Sequence, residues 1–276
     1  MSGASDTTDP ALLDRIDRYC DTVPRVAART ELHGPFILFV REGAWAYYAR
    51  PHLERRPRTA FTPAAVRRVC ARQRELGIPE AFEWLHETAP GAEAAVSAAG
   101  LVVVRHPLLA LLAPPAPVPH PPQAAVRLLA PDDPALPQAR AAIEVGFATG
   151  GTAPGPAGAA ERDAEAARAE PRRLAFVQRL LASGHVVMAA AEDADGVVGG
   201  GMASPRGDVA ELAGIATLPA ARRRGVARSV TDALVAAMAG RGVATVFLSA
   251  ADDTVARIYE GAGFRRVGTA CIAEPG

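Results

Sequence analysis

Three arginines, Arg222, Arg223 and Arg224, stand directly before Gly225, where one residue pattern gives way to another. Upstream, 212–218 is a strand-like apolar run that meets Pro219. Downstream, Val226, Val230, Leu234 and Met238 fall four apart and share one helical face. The layout is strand, short loop, helix, with glycine where the loop enters the helix. The first N–H groups of a helix have no internal partner, and its dipole is positive at that end. An anion, in particular a phosphate, suits such a place. Guanidinium groups beside it add charge that can meet phosphate oxygens bidentately. A plain strand–helix turn with exposed arginines is the competing reading.

The spacing Arg222-x-x-Gly225-x-Ala227 resembles the acyl-CoA pyrophosphate loop Q/R-x-x-G-x-G/A of the GCN5-related N-acetyltransferases, the GNAT family. Strand, proline and helix flank it as that family requires. The resemblance implies that Arg222, Arg223, Arg224, Gly225, Val226 and Ala227 hold the pyrophosphate of acetyl-CoA. A small side chain at Ala227 lets phosphate approach the backbone. The resemblance also implies that the backbone of Ala216, Thr217 and Leu218 bonds the pantetheine like an added strand. The oxyanion donor is then a backbone N–H near Ile215 to Thr217.

A second stretch is similar to the last signature of the family, N-x-x-A-x-x-L-Y-x-x-x-G-F. Tyr259, Gly263 and Phe264 match its tyrosine–glycine–phenylalanine spacing. Tyr259 is thereby implied as the acid that protonates the leaving thiolate; otherwise it is a core aromatic. Asp252 replaces the family's asparagine. An aspartate can accept from a pantetheine amide but cannot donate, and it can equally be a helix N-cap. Glu211 lies on the strand that many relatives use for their general base. A carboxylate walled by apolar strands would have its pKa raised towards the working range; a solvent-facing glutamate is the alternative. Glu144 is a weaker candidate base.

The chain has 276 residues, which favours two domains. Its hydrophobic fraction of 49% supports substantial cores. A formal net charge of +0 offers nothing to nucleic acid. Cys20, Cys70 and Cys271 are scattered, with no metal spacing, and fit a reducing compartment. The polar start lacks a signal peptide and no apolar run reaches ~18 residues, so a soluble, cytoplasmic protein without metal or membrane span is expected.

Elements must position these groups. Residues 114–122, PPAPVPHPP, read as a stiff polyproline spacer. It divides the chain into 1–113, a linker at 114–123, and 124–276. In the first part, helices are expected over 11–19, 63–76 and 90–99, and strands over 35–40, 45–49, 81–86 and 101–104. The order resembles half of an acetyltransferase fold, but the stretch before Thr62 and Pro63 lacks a glycine entering the helix. A truncated GNAT-like domain that does not bind CoA, or an unrelated α/β module, fits it.

In the second part, 148–167 reads as a loose loop between helices over 137–147 and 171–182. Strands follow over 185–191, 197–203 and 209–218, then the helix after Gly225, a strand over 245–249, the tyrosine-bearing helix and a final strand over 264–272. The resemblance implies that two central parallel strands part, helped by a bulge, and Gly214, mid-strand, suits such a bulge. Gly199, Gly200 and Gly201 lie inside a hairpin strand, so close backbone packing explains them better than a dinucleotide loop.

The fold class expected is therefore mixed α/β: an acyl-CoA N-acyltransferase fold preceded by a smaller GNAT-like domain. The function it implies is acetyl transfer from acetyl-CoA to a primary amine, on a small molecule or a peptide, in a monomer or homodimer. A CoA-binding regulatory module without turnover is the alternative, and an interaction scaffold a third.

Overall fold

A computed structural model describes residues 9–43, 45–54, 60–111 and 124–276. The proline-rich linker and the turn residue Ala44 lie outside the described residues. The chain divides into two compact units that interleave in sequence. The first gathers residues up to Leu109 with 249–256 and 266–276; the second gathers 110–248 with 257–265.

The first unit contains α1 (Pro10–Thr22), β1 (Ala28–His33), β2 (Phe36–Arg41), β3 (Arg50–Pro51), α2 (Pro63–Glu75), β4 (Phe82–Leu85), α3 (Gly91–Ser97) and β5 (Leu101–Leu111). Two helix starts carry the expected caps. Asp9 Oδ1 accepts from Ala11 N at 2.9 Å and Thr62 Oγ1 from Ala65 N at 3.2 Å, each before a proline that needs no donor partner. The apolar run of β2 is buried, and Val66, Val69 and Cys70 of α2 pack with it and with Phe82 and Trp84 of β4.

The strand expected at 45–49 does not form. The hairpin partner of β2 is β1, through a turn at Gly34, whose φ of 63° a side chain would disfavour. Only Ala28 is buried in β1, ARTELH, so its alternation carried little apolar signal. Arg72 of α2 clamps it: Nε and Nη2 donate to Glu31 Oε2 and Oε1 at 2.8 and 3.1 Å.

The second unit contains β6 (Ala125–Leu128), α4 (Leu136–Ala148), α5 (Ala159–Ala167), α6 (Pro171–Ala182), β7 (Val187–Asp193), β8 (Gly196–Arg206), β9 (Val209–Thr217), α7 (Val226–Ala239) and β10 (Thr245–Ser249). Then follow α8 (Asp253–Glu260) and β11 (Arg265–Pro275). Strands β6 to β9 form an antiparallel meander, and β10 pairs with β9 in parallel.

The expected loose loop holds a helix. Its alanines and glutamates are strong helix formers, and Glu161 Oε2 caps the start by accepting from Gly158 N at 2.7 Å. The buried Arg162 fastens α5 to the β7–β8 turn, its Nη1 donating to the carbonyls of Asp195 and Val197 at 2.9 and 2.7 Å.

The final strand also departs from expectation. β11 pairs antiparallel with β4, Ala270 opposite Leu85 and Cys271 opposite Trp84, so residues 266–276 complete the first unit. A strand's apolar pattern says which face is buried but not which neighbour it joins.

Candidate active site

The site begins where β9 and β10 stop pairing. Their parallel register runs from Thr245 opposite Val209 to Phe247 opposite Glu211 and ends there, although β9 continues to Thr217. The bulge lies just beyond. On the β8 side the register passes from Gly200 opposite Ala216 to Met202 opposite Ala213, so β9 holds one residue more than β8. Gly214 takes φ 62° within this bulge. The extra residue increases the local bend and twist, which favours the parting of β9 from β10.

Glu211 occupies the last paired position and is half-buried, opposite Ser204 of β8 and Phe247 of β10. Ala216, Thr217 and Leu218 are buried at the far end of β9. Leu218 N donates to Val198 O at 2.9 Å. Thr217 Oγ1 is buried without a hydrogen-bond partner among the described residues. The three glycines of β8 explain how tightly this region packs. A Cβ at Gly199 would lie 2.8 Å from Ala216 O and 2.9 Å from Val226 Cγ1, and one at Gly201 2.8 Å from Ile215 Cγ1.

Past β9, Pro219–Ala221 makes one tight turn and the chain enters α7 through Gly225 at φ 76°. A Cβ on Gly225 would meet nothing within 4 Å, so the space over the helix start is open. Arg223 also takes a left-handed φ, 67°. The N–H groups of the first turn lack intrahelical partners. Below them Val226, Val230, Leu234 and Met238 are buried, the face the spacing predicts.

The arginines divide. Arg224 is half exposed, with Nη1 3.6 Å from Asp193 Oδ2. The Arg222 guanidinium turns instead towards the end of α4. Nη2 donates to Gly146 O at 2.7 Å and Thr149 O at 2.6 Å, and Nη1 to Ala153 O at 3.1 Å. Two backbone bonds reinforce the seam: Gly155 N donates to Pro219 O at 3.2 Å and Ala220 N to Ala157 O at 2.9 Å. Placed so, the Arg222 guanidinium serves these carbonyls and not the open helix start. A helix end leaves carbonyls unpaired, and this cation satisfies them.

Tyr259 is half-buried on α8, its ring edge-to-face with Phe264 at 6.0 Å between centroids. Burial pushes its pKa up to about 12, so the hydroxyl stays a proton donor at neutral pH. Arg228, which the sequence reading passed over, joins this turn to α7. Its Nη1 donates to Gly261 O at 2.7 Å and its Nε to Asp232 at 2.8 Å. The i to i+4 spacing of Arg228 and Asp232 was the available signal. Asp252 falls in the first unit and caps α8, its Oδ1 accepting from Val255 N at 2.9 Å. Glu144 pairs with Arg140 at 3.3 Å on the exposed face of α4. Both line a hollow of about 140 Å³ with Glu165, Arg168, Glu170 and Arg173.

The comparisons with known proteins bear on the domain that holds this bulge and this helix start. Residues 157–264 match the acetyltransferase (GNAT) family. This part of the chain is a GNAT acetyltransferase domain. No curated protein sequence matches. Among solved structures, a GCN5-related N-acetyltransferase from Kribbella flavida is 19% identical with a TM-score of 0.64, covering 96% of both chains. A tandem GNAT protein from the clavulanic acid biosynthesis pathway is 17% identical with a TM-score of 0.52, covering 100% of this chain and 97% of its own. A GCN5-related N-acetyltransferase from Sphaerobacter thermophilus is 16% identical with a TM-score of 0.54, covering 89% and 83%. At these identities the likeness concerns fold alone, and the match to the tandem GNAT protein runs over the whole of this chain. The family is one of acyltransferases, and its model matches residues 157–264. Among the described residues no helix is long and apolar enough to cross a membrane.

Proposed function

We propose that the GNAT domain transfers an acetyl group from acetyl-CoA to a primary amine, by direct attack within a ternary complex. The observation that carries this reading is the loss of pairing beyond Glu211 and Phe247, directly upstream of the helix entered at Gly225. Pantetheine lies along Ala216, Thr217 and Leu218 and bonds to the backbone of Ala216 or Thr217, because Leu218 N already donates to Val198 O and Leu218 O accepts from Ala221 N. The pyrophosphate sits on the N–H groups of Gly225, Val226 and Ala227, with Arg223 and Arg224 adding charge.

The amine must lose a proton to become a nucleophile. Glu211 takes it, directly or through water. The amine nitrogen then bonds to the thioester carbon. A backbone N–H in the stretch Ile215 to Thr217 stabilises the oxyanion. As the intermediate collapses, the carbon–sulfur bond breaks and Tyr259 gives its proton to the thiolate. The attached nitrogen gives up its surplus proton, which returns to the tyrosine through solvent, Glu211 releases its own proton to solvent, and an amide and free CoA leave. A hydroxyl with a pKa of about 12 is neutral before this step and so still carries the proton that the thiolate needs.

Thiol release from acetyl-CoA over a panel of small amines and amino-terminal peptides tests the reading. Turnover with at least one of them is expected. Saturable CoA binding without turnover on any amine would replace the enzyme with a regulatory CoA-binding module.

A further inference from the structure

Away from the GNAT domain, the first unit gathers three ligand-type side chains that are far apart in sequence. His86 follows β4, Glu93 lies on α3 and Cys271 lies on β11. One ligand atom from each falls within 4.8 Å of the others. His86 Nδ1 is 3.2 Å from Glu93 Oε2. It is a buried atom with no hydrogen bond of acceptable geometry. The Cys271 side chain is fully buried and forms no disulfide.

We infer that His86, Glu93 and Cys271 form a zinc site that fastens the C-terminal strand into the first unit. Thiolate, imidazole and carboxylate are the ligands zinc takes, at about 2.0–2.3 Å, which places tetrahedral ligand atoms roughly 3.3 Å apart. The imidazole–carboxylate separation already has that value. A small movement of the thiol would bring the third ligand in. Histidine and glutamate are half-buried, so water can fill the fourth position.

β11 already lies hydrogen-bonded between β4 and β5, and the ion would add a side-chain tie from it to His86 and to α3. β11 reaches β4 through four residue pairs, from Ala270 opposite Leu85 to Ala273 opposite Phe82. Glu87 adds one bond, its Oε2 accepting from Thr269 N at 3.0 Å. Zinc bridging Cys271 to His86 and to α3 closes the end of this seam. Arg105 opposes it, with Nη1 3.5 Å from Glu93 Oε2, but this arginine is half exposed and can turn to solvent when a dication takes its place.

The test is titration of the full-length apo-protein with Co²⁺ and Zn²⁺. A thiolate-to-cobalt charge-transfer band in the near ultraviolet is expected, displaced by Zn²⁺ at one equivalent per chain. Cys271→Ser should remove the band, and Cys70→Ser should keep it. His86→Gln should keep the fold and weaken binding on the order of 10-fold or more. The inference is overturned if wild type shows no band, or if the band survives Cys271→Ser. It is also overturned if His86→Gln, folded by circular dichroism, binds as tightly as wild type. None of these readouts depends on acyl transfer.

Discussion

Arg222 Nη2 donates to the carbonyl oxygen of Gly146 at 2.7 Å, which binds the loop before α7 to the end of α4. Gly146 itself lies against β9. A Cβ there would come within 2.8 Å of Ala216 Cβ and 3.1 Å of Thr217 O. One arginine and one glycine thus fit α4 onto the strand that the proposal gives to pantetheine.

Arg222→Lys should keep the charge but lose the fork that serves several carbonyls at once. A charged hydrogen bond contributes about 1.5–3 kcal/mol, so losing one or two should lower stability by an amount of that order. The dissociation constant of CoA should change less, because the backbone N–H groups remain. Thermal melting, with calorimetry for CoA, separates the two.

Gly225→Ala places a Cβ at φ 76° in open space. The cost is backbone strain of about 1–2 kcal/mol, without a clash. CoA binding should weaken modestly. Gly225→Glu adds a negative charge beside the phosphates and should abolish binding, while far-ultraviolet circular dichroism stays native.

Tyr259→Phe retains the edge-to-face contact with Phe264 and removes only the hydroxyl. The expected loss in kcat is about 10²-fold, with CoA affinity unchanged. Because burial raises the tyrosine pKa to about 12, its ionisation should not lower the wild-type rate between pH 7 and 10. The same shift acts on stability: the unfolded chain ionises this group near 10 and the folded chain only near 12. Stability should therefore fall as pH rises through that interval, and less steeply in Tyr259→Phe.

Glu31 gives the opposite sign. Arg72 holds its carboxyl down to about 2, from an ordinary value of 4.5. The stabilisation is present above 4.5 and is lost as pH falls towards 2. After solvent screening it is on the order of 1 kcal/mol. Glu31→Gln should flatten the acid limb of the melting temperature in that window.

Much of the GNAT fold was legible because its elements carry strong local signals. The spacing of Val226, Val230, Leu234 and Met238 marked α7, the Asp195–Gly196 pair marked a hairpin, and Gly214 marked the bulge. Partner choice was not legible. The apolar alternation of β11 is satisfied by any sheet with a free edge, so its pairing with β4 has no local signature. Nor does an arginine's type say where its guanidinium turns: Arg222 and Arg224 are two residues apart and face different partners. β1 escaped because its buried positions are few, and α5 because an alanine-rich charged stretch resembles a flexible segment in composition alone.

The most direct measurement is a crystal structure with CoA bound. The account predicts the pyrophosphate against the N–H groups of Gly225, Val226 and Ala227, with pantetheine along Ala216 to Leu218 where β9 leaves β10. Clear CoA density anywhere else, with that helix start bare, would contradict it.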